Sequence, residues 1–223
     1  MNLRDSTGSC TLCGVELPAK KMTSHLASCI EDYRYEVGRD EQRGDRGYQL
    51  AFHVKRAPVF WVQLLVRPDA TLAHLDAFFR DIWMEDRSKQ SRFVIGRSVY
   101  SSNRSTNVTP SNLQGDLSPT MQEVLEADVP FEYAYDLEQT TELEGRVVNR
   151  RSILPDQRDN PIRLLARNRL PNIPCSCGEP AEWMCPSCAE DSTGWLCAAC
   201  ADDHECAGEL TDIRNSPRTI IQE

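Results

Sequence analysis

No stretch of this sequence approaches the roughly 18 apolar residues of a membrane-spanning helix. Its opening, Met1-Asn2-Leu3-Arg4-Asp5-Ser6, lacks the apolar h-region of a secretory signal, so a cytoplasmic location is expected. There is no Gly-rich phosphate loop and no G-x-S-x-G nucleophile elbow. Positive charge is not in excess either: the net charge is −9, which disfavours a protein that simply coats nucleic acid. Cysteine is missing altogether from residues 30 to 174.

What is present gathers at the two ends. All ten cysteines, with two of the four histidines, fall in two clusters. Cys10-x2-Cys13-x11-His25-x3-Cys29 has the pair-loop-pair spacing of one zinc finger. Near the other end lie four ligand pairs, Cys175/Cys177, Cys185/Cys188, Cys197/Cys200 and His204/Cys206. Twelve ligands at four per tetrahedral structural site predict three Zn2+ ions. Ten cysteines could also form five disulfides in an oxidising compartment. The repeated C-x2-C spacing, the histidines within each cluster and the expected cytoplasmic location favour metal. In the tail, the four pairs resemble interleaved two-zinc modules of the B-box or RING type, and the expected pairing puts Cys175, Cys177, Cys197 and Cys200 on one ion and Cys185, Cys188, His204 and Cys206 on the other. A sequential pairing is the competitor. Trp183 and Trp195, between ligands, read as a small core.

The cysteine-free middle, at 40% hydrophobic residues in the whole chain, can bury an ordinary core, whereas the terminal segments need metal. Pro18 to Tyr33 reads as the finger helix, with Met22 and Leu26 as apolar contacts, and 36 to 47 as a linker. Tyr48–Val54 and Val59–Val66 read as a hairpin with Pro58 at the strand start. Asp69 is the expected N-cap of a helix through about Glu85, because Leu72, Leu75, Phe78, Phe79 and Ile82 share one face. Arg92–Tyr100, Pro130–Leu137 and Glu142–Asn149 read as strands, Ser101–Asn112 as a polar loop, and Met121–Glu126 as a short helix opened by Pro119. The pattern predicts an α+β fold: a mainly antiparallel sheet with one principal packed helix, flanked by small zinc-stabilised modules. The expected division is a C2HC finger over 1–34, a linker over 35–47, a core over 48–170, a two-zinc module over 171–210 and a tail over 211–223.

Charge is uneven. Residues 146 to 169 hold Arg146, Arg150, Arg151, Arg158, Arg163, Arg167 and Arg169 against two aspartates, a net of +5. Residues 170 to 223 hold ten acids against two arginines, a net of −8. The arginine segment is read as docked on the acidic tail or solvated, with a phosphate-binding patch as the alternative. In the finger, the offsets that read bases fall on Ser24, Lys21 and Pro18, and proline offers no side-chain donor or acceptor. A structural or protein-contacting finger is therefore expected, although Lys20 and Lys21 could touch phosphate. A zinc with four protein ligands keeps no open position for water, so the metal sites are read as structural. No catalytic constellation is found. His53 in a strand and His74 in the helix are read as packed or solvated, and Asp136 as a turn-stabilising aspartate.

Tyr48-Gln49-Leu50, Ala57-Pro58-Val59-Phe60-Trp61, Thr71-Leu72-Ala73-His74-Leu75, Phe131 to Leu137, Thr140-Thr141-Glu142-Leu143, Leu164-Leu165-Ala166-Arg167-Asn168 and Asn215-Ser216-Pro217-Arg218 resemble, in that order, the pRiA-plasmid ORF-three-like family. This family is also known as the insertion-element passenger TnpR type. Its longer members are similar in carrying both a leading finger and a cysteine-rich tail. The resemblance implies an α+β fold related to β-grasp-like sheets and an association with mobile elements, without implying recombinase chemistry. At Leu137-Glu138-Gln139 this chain departs from the family's Phe-Gly-Asp or Phe-Gly-Ser. Taken together, the sequence predicts a non-enzymatic zinc-binding adaptor with a protein partner and no membrane contact. The alternative is a nucleic-acid-binding factor that uses the arginine segment and the finger.

Overall fold

The computed structural model describes residues 6–37, 46–84, 88–102, 113–126, 129–157, 159–188, 193–206 and 209–220. The chain divides into two compact units, Met1–Arg169 and Leu170–Glu223. Among the described residues the first carries ten strands: β1 (Thr7–Cys10), β2 (Glu16–Pro18), β3 (Arg46–Val54), β4 (Trp61–Val66), β5 (Ser91–Ile95), β6 (Ser98–Ser101), β7 (Leu113–Gly115), β8 (Phe131–Tyr135), β9 (Thr141–Ser152) and β10 (Ile162–Asn168). They form one sheet in the order β2-β1-β10-β4-β3-β9-β8-β5-β6-β7, antiparallel throughout except between β6 and β7. With α1 (Ala19–Val37), α2 (Leu72–Ile82), the short α3 (Met121–Val124) and a 3₁₀ turn at Pro155–Gln157, the fold is α+β.

Two helices, not one, cover the sheet, and they lie on opposite faces. In β3 the alternating Leu50, Phe52 and Val54 turn toward α2, where the Phe52 ring meets Phe79 edge-on at 4.8 Å. Phe52 is paired with Val62, so the neighbouring Gln63 points to the other face, and there it donates to Thr23 Oγ1 of α1 at 2.7 Å. β4 is thus covered on both sides, which is why all six of its residues are buried and its sequence is nearly continuously apolar. Beneath α1, Met22, Leu26 and Ile30 join Trp61, Leu65, Leu165 and Ala166 in one apolar cluster that also contains Cys10 and Cys29. Full burial of each of those three helix side chains is worth about 1.5–3 kcal/mol.

The N-terminal finger is therefore a working part of the sheet and not an appended module over 1–34. Gly8, Ser9 and Cys10 of β1 pair with Asn168, Arg167 and Ala166 of β10. The close approach depends on Gly8: a Cβ at that position would overlap the Arg167 carbonyl and the Trp61 ring. Gly8→Val is expected to cost about 1–3 kcal/mol through overpacking. It should also expose to exchange the Arg169 amide, which donates to the Thr7 carbonyl at 2.9 Å; hydrogen-exchange mass spectrometry checks this.

Other expectations shift for local reasons. The finger helix runs to Val37, beyond Tyr33. Thr71, not Asp69, caps α2: its hydroxyl accepts from the His74 amide, and His74 Nδ1 accepts from the Thr71 amide at 3.0 Å. Asp69 instead accepts from Arg67 Nε at 2.9 Å. Arg92–Tyr100 is a hairpin of β5 and β6, turned at Gly96 with φ +58, and not one strand. Residues 38–45 of the expected linker, 85–87 at the expected helix end, 103–112 of the expected loop, and Arg158 lie outside the described residues.

The second unit is built on three two-residue strands, β11 (Trp183–Met184), β12 (Trp195–Leu196) and β13 (Thr211–Asp212), in the order β12-β11-β13. Two short helices, α4 (Ala198–Asp202) and α5 (Pro217–Ile220), complete it. The segment from 211 is thus not a free tail, since Trp183 pairs with Asp212 on one side and Leu196 on the other. Met184 and Leu196 are buried, while Trp183 and Trp195 are half-buried.

Candidate metal centres

The structure brings the twelve ligands into three sets of four: Cys10, Cys13, His25 and Cys29; Cys175, Cys177, Cys197 and Cys200; and Cys185, Cys188, His204 and Cys206. Within each set the ligand atoms all lie within 4.8 Å of one another. The tail's four pairs are grouped in the interleaved order, first with third and second with fourth.

At the first centre, β1 delivers Cys10 and the following turn delivers Cys13. The turn is closed by the Gly14 amide donating to the Cys10 carbonyl at 2.9 Å, with Gly14 at φ +77. His25 and Cys29 stand one turn apart on α1. Thr11 fastens the turn to β10: its amide donates to the Leu165 carbonyl at 2.8 Å and its hydroxyl to the Leu164 carbonyl at 2.6 Å. In the second unit, Cys175 and Cys177 occupy a turn in which the Cys175 amide donates to the Glu179 carbonyl at 2.8 Å and the Gly178 amide to the Cys175 carbonyl at 2.9 Å. Cys197 precedes α4 and Cys200 lies within it. The third set begins where the Cys185 amide donates to the Gly194 carbonyl at 2.8 Å, and ends just past α4.

These distances fit a tetrahedral metal. Bonds of about 2.0–2.3 Å to nitrogen and sulfur imply tetrahedron edges of about 3.3–3.8 Å. Cys13 Sγ lies 3.3 Å from His25 Nε2, Cys10 Sγ 3.8 Å from Cys29 Sγ, Cys177 Sγ 3.6 Å from Cys197 Sγ, and Cys188 Sγ 3.7 Å from His204 Nε2. The three groups can hold three metal ions, and their thiolate and imidazole donors suit zinc. Thiol acidity fits as well. Backbone N–H groups of Cys177 and Cys197 pull Cys175 down to about 6. Hydrogen-bonded neighbouring thiols, Cys175 first, push Cys200 up to about 12, and those of Cys206 and Cys185 push Cys188 up to about 11. Burial, reinforced by Cys13 and Cys10, raises Cys29.

The other sequence-predicted residues have local tasks. His74 closes the cap of α2, and His53 Nε2 lies 3.8 Å from Glu144 on neighbouring β9. Asp136 is buried in the left-handed conformation at φ +57, and its carboxylate accepts from the Glu138 amide at 3.3 Å. The turn is thus made one residue before the Leu137-Glu138-Gln139 departure. Pro18, Lys21 and Ser24 are exposed, with Pro18 ending β2. The arginines are largely engaged inside the first unit. Arg163 pairs with Asp156 at 3.4 Å and Arg169 with Glu16 at 2.6 Å, Arg150 lies 3.8 Å over the Tyr48 ring, and Arg151 donates to Gln49 at 3.3 Å.

One cluster escaped the sequence. Buried Asp76 of α2 accepts from Ser91 Oγ at 2.6 Å and Tyr133 OH at 2.8 Å on one oxygen, and from Arg80 Nε at 2.8 Å on the other. Arg80 also donates to the Lys89 carbonyl at 2.9 Å and Ser91 Oγ at 3.0 Å, beneath the Tyr135 ring. The i, i+4 spacing of Asp76 and Arg80 was the available signal, but it looks the same as a surface pair. Burial, with the Asp76 carboxylate as second cause, raises the Tyr133 phenol above its ordinary 10.0. Its contribution to stability is complete below that ordinary value and is lost as pH rises toward the folded value. Above about pH 10, stability is expected to fall by an extra 1.4 kcal/mol per pH unit, and Tyr133→Phe should remove this component. Urea titrations at a series of alkaline pH values measure it.

No helix among the described residues is long and apolar enough to cross a membrane. No protein-family profile matches the chain, and no curated protein matches it. Among solved structures it is similar to a protein of unknown function, MM3350, from Methanosarcina mazei Go1. The identity is 12% and the TM-score 0.42 over 50% of this chain; the match spans 64% of that protein's length.

Proposed function

We propose that this is a non-enzymatic zinc-binding interaction protein, acting as an adaptor whose partner is another protein. The observation that carries this reading is the closure of all three centres: each has four protein donors at tetrahedral spacing, which leaves no coordination position for a substrate or a nucleophilic water. The ions fold the chain and do not react. A reducing compartment, the cytoplasm in this reading, keeps the ten cysteines available as ligands. A protein partner is favoured over nucleic acid by the net charge of −9 and by the internal engagement of Arg150, Arg151, Arg163 and Arg169. The resemblance to the ORF-three-like family belongs to the same proposal. Its stretches fall on β3, on the entry to β4, on the start of α2 and on β8, and with it comes the expected association with mobile elements.

Native mass spectrometry of the full chain, with and without short duplex and single-stranded oligonucleotides, tests the reading. Three tightly held zincs and no oligonucleotide complex at low salt are expected. A smaller zinc count would refute the metal assignment. A salt-sensitive oligonucleotide adduct would overturn the choice of partner.

A further inference from the structure

β9 outruns one of its two neighbours. It pairs with β3 from Leu143 to Ser152, whereas β8 reaches it only from Thr141 to Gly145. Over residues 146–152 it therefore has β3 on one side and, among the described residues, no strand on the other. That one-sided run covers about 23 Å of strand. The outer strands of the sheet offer much less: β2 and β7 are three residues each, and β2 ends in Pro18. Side chains serve part of the β9 edge. The Arg150 amide donates to Asn149 Oδ1 at 2.8 Å, and the Arg150 carbonyl accepts from Arg46 Nη2 at 2.8 Å. An unpaired edge of this length is a template for one more strand.

Arginine decides which strand fits. Arg146 lies across from Ala51 and Arg151 across from Gly47. The register shift at Gln49/Leu50 puts both on the face of Gln49, to which Arg151 donates at 3.3 Å. Arg150 lies on the other face, over the Tyr48 ring, and Arg46 reaches in from beside Ser152. None of these four guanidiniums pairs with a carboxylate among the described residues, in contrast to Arg163 and Arg169. The stacking on Tyr48 and the bond to Gln49 hold two of them in place without cancelling their charge. A basic strand laid here would set like charges side by side, and an apolar one would desolvate guanidiniums with nothing in return. Acidic side chains on either face of an added strand each meet a cation. A nucleic-acid phosphate would meet the same cations but leave the backbone edge unused. We propose that residues 146–152 of β9 dock an acidic, extended segment of a partner protein, which joins the sheet as a strand in line with β8. Backbone hydrogen bonds hold the segment, and the four arginines select its charge.

The inference rests on the protein-partner reading above, and the two can fail separately. A salt-sensitive oligonucleotide adduct of the full chain removes both, whereas failure with the peptide below removes the site alone. The probe is a fluorescein-labelled decapeptide of repeating Glu-Glu-Val-Val, which carries acids on both faces when extended. One control replaces its glutamates by lysines. Another keeps every charge but is N-methylated at two successive central residues, which blocks both of its edges. By fluorescence anisotropy the acidic peptide should bind the full zinc-loaded chain with a Kd below about 1 mM, and both controls about tenfold or more weaker. Hydrogen-exchange mass spectrometry should show slowed exchange within 146–152 in the complex. Arg146 is exposed and outside every ion pair, so Arg146→Glu should weaken binding about tenfold or more without disturbing the fold. Absence of binding at about 1 mM, equal binding of the N-methylated peptide, or protection only outside 146–152 would each overturn the proposal. So would a peptide-free dimer that protects 146–152, since the occupant would then be a second copy of this chain. The N-methylated control and the exchange map decide the matter without any variant.

Discussion

Cys29→Ser is expected to cost the first unit about 4 kcal/mol or more and to release one of the three zincs. Structural zinc contributes on the order of 10 kcal/mol to the folding of small zinc modules, and a serine hydroxyl is a poor substitute for a thiolate. Here the loss spreads, because Cys29 and Cys10 are also core residues packed with Met22, Leu26 and Trp61. With the centre broken, β1, β2 and the first half of α1 lose their common anchor, and β10 becomes an edge strand. Hydrogen exchange of residues 162–168 is the decisive readout. An autonomous finger would lose its zinc and leave those amides as protected as before; an integrated one exposes them. Exposure is the expected result where β10 pairs with β1, at Ala166, Arg167 and Asn168, and at the adjoining Arg169 amide, which donates to the Thr7 carbonyl.

The second large effect is expected at Asp76. Asp76→Ala removes the carboxylate that accepts from Arg80 Nε, Ser91 Oγ and Tyr133 OH, and leaves the buried Arg80 guanidinium without that counter-charge. Breaking a buried pair by deleting one partner costs about 3–5 kcal/mol, and the urea midpoint should fall accordingly. Tyr133→Phe, which removes one neutral hydrogen bond, should cost about 1 kcal/mol. Pairing Asp76→Ala with Arg80→Met should recover part of the loss, since the uncompensated charge goes with the guanidinium. A shift below about 1 kcal/mol in Asp76→Ala would mean that water reaches the pair and that it holds little of the fold together.

The two effects differ in how visible they were beforehand. The twelve ligands could be read from the sequence because a metal knuckle is local: two cysteines two or three positions apart are already geometrically constrained. The apolar face of α2 was legible from its helical period, although its cap was displaced by two residues, because Arg67 engages Asp69 and frees the Thr71–His74 pair to close the helix. The pairing of β1 with β10 left no periodic trace, since strand partnership between distant segments depends on neither chain's own pattern. Gly8 was the sole local hint, and a glycine before a cysteine suggests a turn just as readily. The β5–β6 hairpin was hidden by the apolar character of both its arms, with only Gly96 to mark the reversal. Asp76 and Arg80 look in sequence like an ordinary solvated pair, and only burial distinguishes them. The interleaved grouping of the tail ligands was the expectation, but only three dimensions separate it from the sequential competitor, because the same four pairs can be spaced identically under either pairing.

Gly8 finds its partner in Asn168, 160 positions further along the chain. The four ligands of the first centre, by contrast, lie within Cys10 to Cys29. During synthesis at about 5–20 residues per second, the Cys10–Cys29 segment is complete roughly 7–28 seconds before its strand partner exists. Long-range pairing of this kind is slow and leaves an unpaired edge while it waits. An ion captured by the nascent Cys10–Cys29 segment would hold the hairpin and helix in shape during that interval, so the expected order of assembly is metal first, sheet last. Cells starved of zinc would then accumulate a chain whose defect lies in assembly, before any question of activity arises.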